Sequence, residues 1–237
     1  MAKHKDREGS QDLFHNLELM AARSTCNSVA AGDELAQRHT PEAQPAGELR
    51  KMKKFRFQLL HRWLVERFEP CRVADVAGGK GLLAYLLQKS GWDAAVIDPE
   101  PQLLTDKYKD IATGKRVKIA ATESVPHIDR AFAREMGRHF DLLVGMHAHG
   151  CNVAIIDAAA EFGCGFVLFP CCVIGEPFYP PAGVHWLESV AGYASGKGQA
   201  VSPFRLNFKG QNIGLYNGGS CRLKDVSKNV AHLPGAG

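Results

Sequence analysis

Two aspartates, each at the end of a short apolar segment, are the first residues of this chain that suggest chemistry. Asp75 comes just before the glycine-rich turn of "VADVAGGKG", and Asp98 ends "AAVID". Gly78, Gly79 and Gly81 allow the backbone of that turn to approach a ligand closely. A carboxylate at such a turn suits an ammonium group, and a carboxylate after the next strand can accept both hydroxyls of a ribose. The pattern therefore predicts a ligand with an amino-acid end and a nucleoside end.

Histidines and cysteines follow two later apolar segments. His147 and His149 come after "FDLLVGM", and Cys171 and Cys172 come after "GFVLFP". Either histidine is a candidate general base, or else a structural residue that orients its loop. In a continuing strand their i, i+2 spacing would point the side chains apart, so we expect only one to reach the site. With Cys151 nearby these residues also suggest zinc, but no C-x₂-C or H-x₃-H spacing is present, and we predict no metal.

These residues must be positioned by the elements that precede them. From Arg72 onward, short apolar runs alternate with helical patterns, which predicts a doubly wound, mostly parallel α/β sheet covered on both faces. The predicted strands are "RVADVAG", "AAVID", "RVKIAA", "FDLLVGM" and "GFVLFP", with a helical stretch around "IDRAFAREMG". "PFRLNFKGQNIGLYN" predicts an antiparallel hairpin at the sheet edge. Ligands of such sheets bind at the carboxyl ends of the strands, where all the residues above would lie.

A strongly helical pattern over 48–68 precedes the first strand, and its first half is basic. It is either a solvated helix face or a cationic rim for phosphates. Upstream, "SQDLFHNLELMAAR" predicts one short helix in an otherwise flexible tail. We therefore divide the chain into a tail (1–47), a domain (48–217) and a second tail (218–237). The cations of the basic segment are Arg50, Lys51, Lys53, Lys54 and Arg56.

Composition sets broader limits on the protein. The chain has 237 residues, 45% of them hydrophobic, and a formal net charge of +4, which permits an anionic partner without demanding one. Its seven cysteines are scattered through apolar stretches, and no signal peptide is recognisable, so we expect reduced thiols and a cytoplasmic location. No apolar run approaches the ~20 residues of a membrane helix, so no membrane partner is expected. The oligomeric state is not indicated.

The turn as a whole resembles a known motif. Asp75-Val76-Ala77-Gly78-Gly79-Lys80-Gly81 is similar to the acid and Gly-x-Gly-x-Gly of class I S-adenosylmethionine-dependent methyltransferases, with Ala77 in place of the first glycine. A negative φ at Ala77 would accommodate that change. The resemblance implies a seven-stranded Rossmann-like sheet over 48–217. It also implies S-adenosylmethionine as cofactor, bound by Asp75, Ala77, Gly78, Gly79, Gly81, Asp98 and, after the third strand, Glu123.

A narrower resemblance concerns the acceptor. His147-x-x-Gly150 and Pro170-Cys171-Cys172 resemble one branch of that class, which includes tRNA ribose 2′-O-methyltransferases. It implies an RNA acceptor, most specifically tRNA, held by the basic helix around Arg50 to Arg56. A small-molecule acceptor under the Phe178–Tyr179 loop remains an alternative. So does a non-catalytic cofactor-binding protein, or a nicotinamide-binding one, in which Asp75 would repel the pyrophosphate.

Overall fold

The computed structural model describes residues 12–23 and 53–224. Its α-helices are α1 (12–23), α2 (Arg56–Arg67), α3 (Leu82–Lys89), α4 (Asn152–Phe162) and α5 (Trp186–Gly196). Its strands are β1 (Arg72–Val76), β2 (Asp93–Ile97), β3 (Lys107–Lys109), β4 (Arg116–Lys118), β5 (His127–Ile128), β6 (Leu142–Met146), β7 (Gly165–Phe169), β8 (Ser202–Arg205) and β9 (Ile213–Asn217). Short 3₁₀ helices cover Lys53–Phe55 and Arg134–His139. Within these described ranges, no helix has both the length and the apolar character needed to span a membrane.

Seven strands form one sheet in the order β5-β2-β1-β6-β7-β9-β8. The first five strands of that order pair in parallel, and β9 pairs antiparallel with both β7 and β8. The predicted fold class is therefore confirmed: a doubly wound, mostly parallel sheet that ends in an antiparallel hairpin. The carboxyl ends of β1, β2 and β6 meet at one edge, as the sequence required.

Alternating side chains of the central strands fill a hydrophobic core on each face of the sheet. Val73 of β1 packs with α2 and α3, whereas its neighbour Ala74 packs with α4 and α5. In the same way Val144 of β6 faces α2 and Leu143 faces α4. Both faces of each strand are covered, which is why these strands read as continuous apolar runs rather than as alternating ones.

Helix α1 packs against the α4–α5 side of the sheet. Leu17 is buried in that core, and Asn16 Nδ2 donates to Glu188 Oε1 over 3.1 Å. The Arg205 guanidinium lies over the Phe14 ring. The stretch after β9 also packs on the domain, since Leu223 bridges to Phe68. Residues 1–11, 24–52 and 225–237 lie outside the described residues; they hold the rest of both proposed tails and the start of the proposed domain, with Arg50 and Lys51.

Two predicted elements are wrong. "RVKIAA" is not the third parallel strand, because its Arg116–Lys118 portion pairs antiparallel with β3 in a separate two-stranded sheet. All three of its side chains are exposed, so it has no apolar face to bury in the main sheet. The third parallel position belongs to the two-residue strand β5. The helical stretch expected around "IDRAFAREMG" is a six-residue 3₁₀ helix, Arg134–His139.

Candidate functional site

The glycine turn connects β1 to α3 and is closed by an aspartate of the next strand. The backbone N–H of Gly79 donates to Asp98 Oδ2 over 3.0 Å, and that of Glu100 donates to Asp98 Oδ1 over 2.9 Å. Ala77 has a φ of +54°, so the negative φ that would accommodate an alanine here is not adopted. An alanine held in the left-handed region carries backbone strain that a glycine would not.

Asp75 lies beneath this turn rather than at its mouth. Its carboxylate is so close to the backbone that a Cβ at Gly78 would lie 2.6 Å from Asp75 Oδ2. That oxygen is buried and has no hydrogen-bond partner among the described residues. Burial raises the pKa of Asp75 to about 7, with the nearby Asp98 adding to the rise and a backbone hydrogen bond from Ala84 opposing it. Asp75 is thus a buried acceptor directly behind the turn.

A cavity of about 570 Å³ opens in front of the turn. Its size is within the roughly 300–1,000 Å³ range of small-molecule sites. The glycine turn forms one wall, and the start of α2, strand β3 and the end of β6 form the others. Among the residues that the structure describes, its lining holds cationic side chains and no carboxylate, which makes it suited to an anionic ligand. The cations are Lys54, Arg56, Lys80, Lys107 and Lys109.

Sequence reasoning missed the β3 wall of this cavity. Gln58 on α2 holds the hairpin in place, because its Nε2 donates to the Lys109 carbonyl over 2.8 Å and its Oε1 accepts from the Ile111 N–H over 2.7 Å. The signal was present in "KYK" and "RVK", two short basic alternations on either side of a turn at Gly114. Of the basic segment proposed before β1, Lys54 and Arg56 do reach the cavity.

His147 and His149 lie close together rather than apart, although of the two only His147 is among the described residues that line the cavity. Strand β6 ends at Met146, and His147 adopts a φ of +72°, so the strand geometry that would point the side chains apart does not continue. The two rings are 5.1 Å apart between centroids. Burial lowers the pKa of His147, and Lys53, Arg56 and His149 lower it further. These surroundings favour the neutral imidazole, at the edge of the cavity that His147 lines.

The loop after β7 brings cysteines to the same place. One ligand atom each from His147, His149 and Cys171 lie within 4.8 Å of one another. The Cys171 and Cys172 sulfurs are 3.8 Å apart. The loop carrying the cysteines approaches the histidine loop so closely that a Cβ at Gly150 would lie 3.0 Å from the carbonyl oxygen of Gly175.

Glu123 and the Phe178–Tyr179 loop lie away from the cavity. Glu123 is not among the residues lining the cavity, and its carboxylate pairs with Lys89 at 2.6 Å. The expectation that it lies at the site assumed that "RVKIAA" is the third parallel strand, which it is not. Phe178 packs against Trp186 and Tyr193 in the core beside α5, so it forms no wall of the cavity. Tyr179, its neighbour, is exposed.

Comparison with known proteins adds a partial similarity. No protein-family model matches the chain. The chain is 29% identical over 107 residues to a probable tRNA (uracil-O(2)-)-methyltransferase of Caenorhabditis briggsae, and 30% identical over 107 residues to one of Caenorhabditis elegans. Each match spans 44% of this chain but only 18% of the relative, so the chain covers less than a fifth of those proteins. The resemblance to methyltransferases predicted from the glycine turn is thus confirmed in sequence.

Two solved structures are also similar. A structural-genomics protein from Corynebacterium glutamicum matches with a TM-score of 0.41 and 14% identity, over 92% of this chain and 98% of that one. Monomeric WbdD matches with a TM-score of 0.34 and 14% identity, over 68% of this chain and 38% of that one.

Proposed function

We propose that this chain binds S-adenosylmethionine and transfers its methyl group to RNA, with tRNA as the acceptor. The observation that carries the proposal is the glycine turn, closed by Asp98, that opens into a cavity whose described lining holds five cations and no carboxylate. The turn supports the cofactor, and the cations support a polyanionic acceptor. The similarity to proteins named as tRNA methyltransferases supports the same combination.

The donors and acceptors at the turn fit this cofactor. Asp75 Oδ2 is a buried acceptor beneath the turn, covered by the backbone of Gly78, so Asp75 would act on the cofactor through the shape of the turn rather than by direct contact. Each Asp98 oxygen accepts one N–H and retains capacity for a ribose hydroxyl. Gly78, Gly79 and Ala77 present bare backbone between the two acids. When bound, S-adenosylmethionine supplies an electrophilic methyl group. Glu123 has no part in the proposal, because it is paired with Lys89.

His147 is the best-placed base for a hydroxyl acceptor. It lies at the cavity edge as a neutral imidazole, which can take up the proton that a ribose hydroxyl loses on methylation. His149 lies beside it, 5.1 Å away between ring centroids, and is the second candidate.

The basic lining favours RNA over a small neutral acceptor. Cations from separate elements line the cavity: Lys54 from the 3₁₀ helix before α2, Arg56 from the start of α2, Lys80 from the glycine turn, and Lys107 from β3. A small acceptor needs few of them, whereas each phosphate of RNA pairs with one and releases a counterion. A nicotinamide dinucleotide also carries phosphates, so the cofactor must be tested directly.

The test follows tritium from methyl-labelled S-adenosylmethionine into bulk tRNA, with the purified full chain. We expect label in the tRNA fraction, and stabilisation against heat by S-adenosylhomocysteine but not by NADH. Asp98→Asn should weaken S-adenosylhomocysteine binding at least about tenfold, the scale of one charged hydrogen bond, whereas the exposed Asp106→Asn should leave it unchanged. Stabilisation by NADH alone would overturn the cofactor assignment. Label appearing only in small molecules would overturn the RNA assignment.

A further inference from the structure

We propose that His147, His149 and Cys171 bind a divalent transition-metal ion, with zinc the best match, and leave one coordination position open. The prediction of no metal rested on spacing along the chain. In the structure the ligands come from two loops, one after β6 and one after β7. Residue spacing within a single loop cannot reveal a site of this kind.

The geometry of the three ligand atoms is close to that of a metal site. They lie within 4.8 Å of one another. In a tetrahedral zinc site, bond lengths of about 2.0–2.3 Å place ligand atoms roughly 3.3–3.8 Å apart. Both histidine side chains are exposed, so small rotations would shorten the distances between ligand atoms to those of a zinc site without moving the backbone. Two imidazoles and a thiolate select zinc or a similar metal over magnesium or calcium, which prefer oxygen ligands.

The two loops are held together without any metal. Glu176, after the cysteines, accepts hydrogen bonds from the backbone N–H groups of Asn152 and Val153 at the start of α4. The backbones of Gly150 and Gly175 are in contact. His147 is held in the left-handed region, a conformation that residues other than glycine adopt at a cost. The fold thus places the ligands in advance, which lowers the entropy cost of binding an ion.

Three protein ligands and an open position are typical of zinc sites that bind an exchangeable fourth ligand. Cys172 is not one of the three ligands, although its sulfur lies 3.8 Å from that of Cys171. His147 also lines the cavity, so the ion would lie at the cavity edge. If the proposed methyl transfer holds, an ion held by these three residues would supply Lewis-acid polarisation of a ribose hydroxyl, and His147 would then serve as a ligand rather than as the base. This last step alone rests on the proposed function.

The experiment uses the full chain, stripped with a chelator and then titrated with Zn²⁺ or Co²⁺ alone. We expect about one ion per chain by elemental analysis, and a thiolate-to-cobalt charge-transfer band in the Co²⁺ form. Cys171→Ser should abolish that band, and His149→Ala should weaken binding by at least about tenfold, because even residues that only support ligands cost 10–100-fold. Cys151→Ser and His139→Ala, a nearby half-buried thiol and an exposed histidine outside the cluster, should bind as wild type does.

The wild-type titration decides the proposal even if a variant fails to fold. No stoichiometric Zn²⁺, or Co²⁺ bound without a thiolate band, would overturn it. So would an unchanged band in folded Cys171→Ser, with folding checked by circular dichroism. None of these measurements requires methyl transfer. A protein that lacks the proposed methyltransferase activity would therefore still give a clear result for the metal site.

Discussion

Glu176 and Asn152 join the two loops of the candidate site: the Asn152 Nδ2 donates to Glu176 Oε1 over 2.6 Å. The same carboxylate accepts the first two backbone N–H groups of α4, at 3.0 and 3.2 Å. Cys151, at the N-cap position, makes no side-chain capping bond, so a glutamate from another loop performs that task. Capping α4 and tying the cysteine loop to the histidine loop are therefore one interaction.

Glu176→Ala should destabilise the protein by about 2–4 kcal/mol, because it leaves buried donors at the helix start unsatisfied. Urea unfolding followed by circular dichroism measures this. Glu161→Ala is the matched control, because Glu161 lies on α4, the helix that Glu176 caps, in a half-exposed ion pair with Arg134. We expect this substitution to cost less than about 1 kcal/mol. Equal losses in the two variants would contradict the capping role.

Ala77→Gly should stabilise the fold by up to about 1 kcal/mol. Relief of the left-handed strain at φ +54° is worth about 1–2 kcal/mol, and the greater freedom of glycine in the unfolded chain offsets part of it. Ala77→Val should instead destabilise, because a β-branched side chain tolerates this region least. Thermal unfolding of the two variants checks the signs, and a glycine variant less stable than wild type would show that the strain is absent.

Asp75→Asn should gain stability relative to wild type as the pH rises from 4 to 8. Burial raises the pKa of Asp75 from 3.8 to about 7, so the folded protein holds the proton more tightly than the unfolded chain does. The stability that this proton contributes is complete below about pH 4 and is lost as the pH rises to about 7. Asparagine mimics the neutral form at every pH.

We expect the free energy of unfolding of Asp75→Asn, minus that of wild type, to grow by about 1–4 kcal/mol over this range, at 1.4 kcal/mol per pKa unit at most. Urea titrations at pH 4, 6 and 8 measure the difference. A difference that stays constant with pH would show that Asp75 ionises as an exposed aspartate does.

Replacing Lys107 and Lys109 together by alanine should weaken tRNA binding about tenfold or more and reduce the salt slope by about 1–2, as expected for two lost phosphate contacts. Filter binding at several salt concentrations measures both. Arg134 and Arg138, also exposed but located beside α4, provide a double variant with the same charge loss. If that control loses as much affinity as the hairpin variant, net charge rather than this wall of the cavity governs binding.

Local patterns in the sequence were sufficient for the central strands of the main sheet and for the position of the turn. The strands β1, β2, β6 and β7 are apolar on both faces, because helices cover both sides, and such runs can be recognised without knowing their partners. Gly79 and Gly81 mark positive-φ positions of the turn by residue type, whereas the positive φ of Ala77 appears only in the structure. These features identified the edge at which the acids and histidines meet, since parallel strands place all their carboxyl ends together.

Contacts between residues far apart in the chain decided what local patterns could not. The prediction assigned the third parallel position to β4, a strand of exposed residues, and missed β5, which occupies that position. A strand of two residues has no periodicity to detect. The closeness of His147, His149 and Cys171 depends on a left-handed backbone at His147 and on Glu176 reaching a helix start on another loop. Asp75 lies beneath the turn because Gly78 passes directly over its carboxylate, a depth that only the packed structure sets.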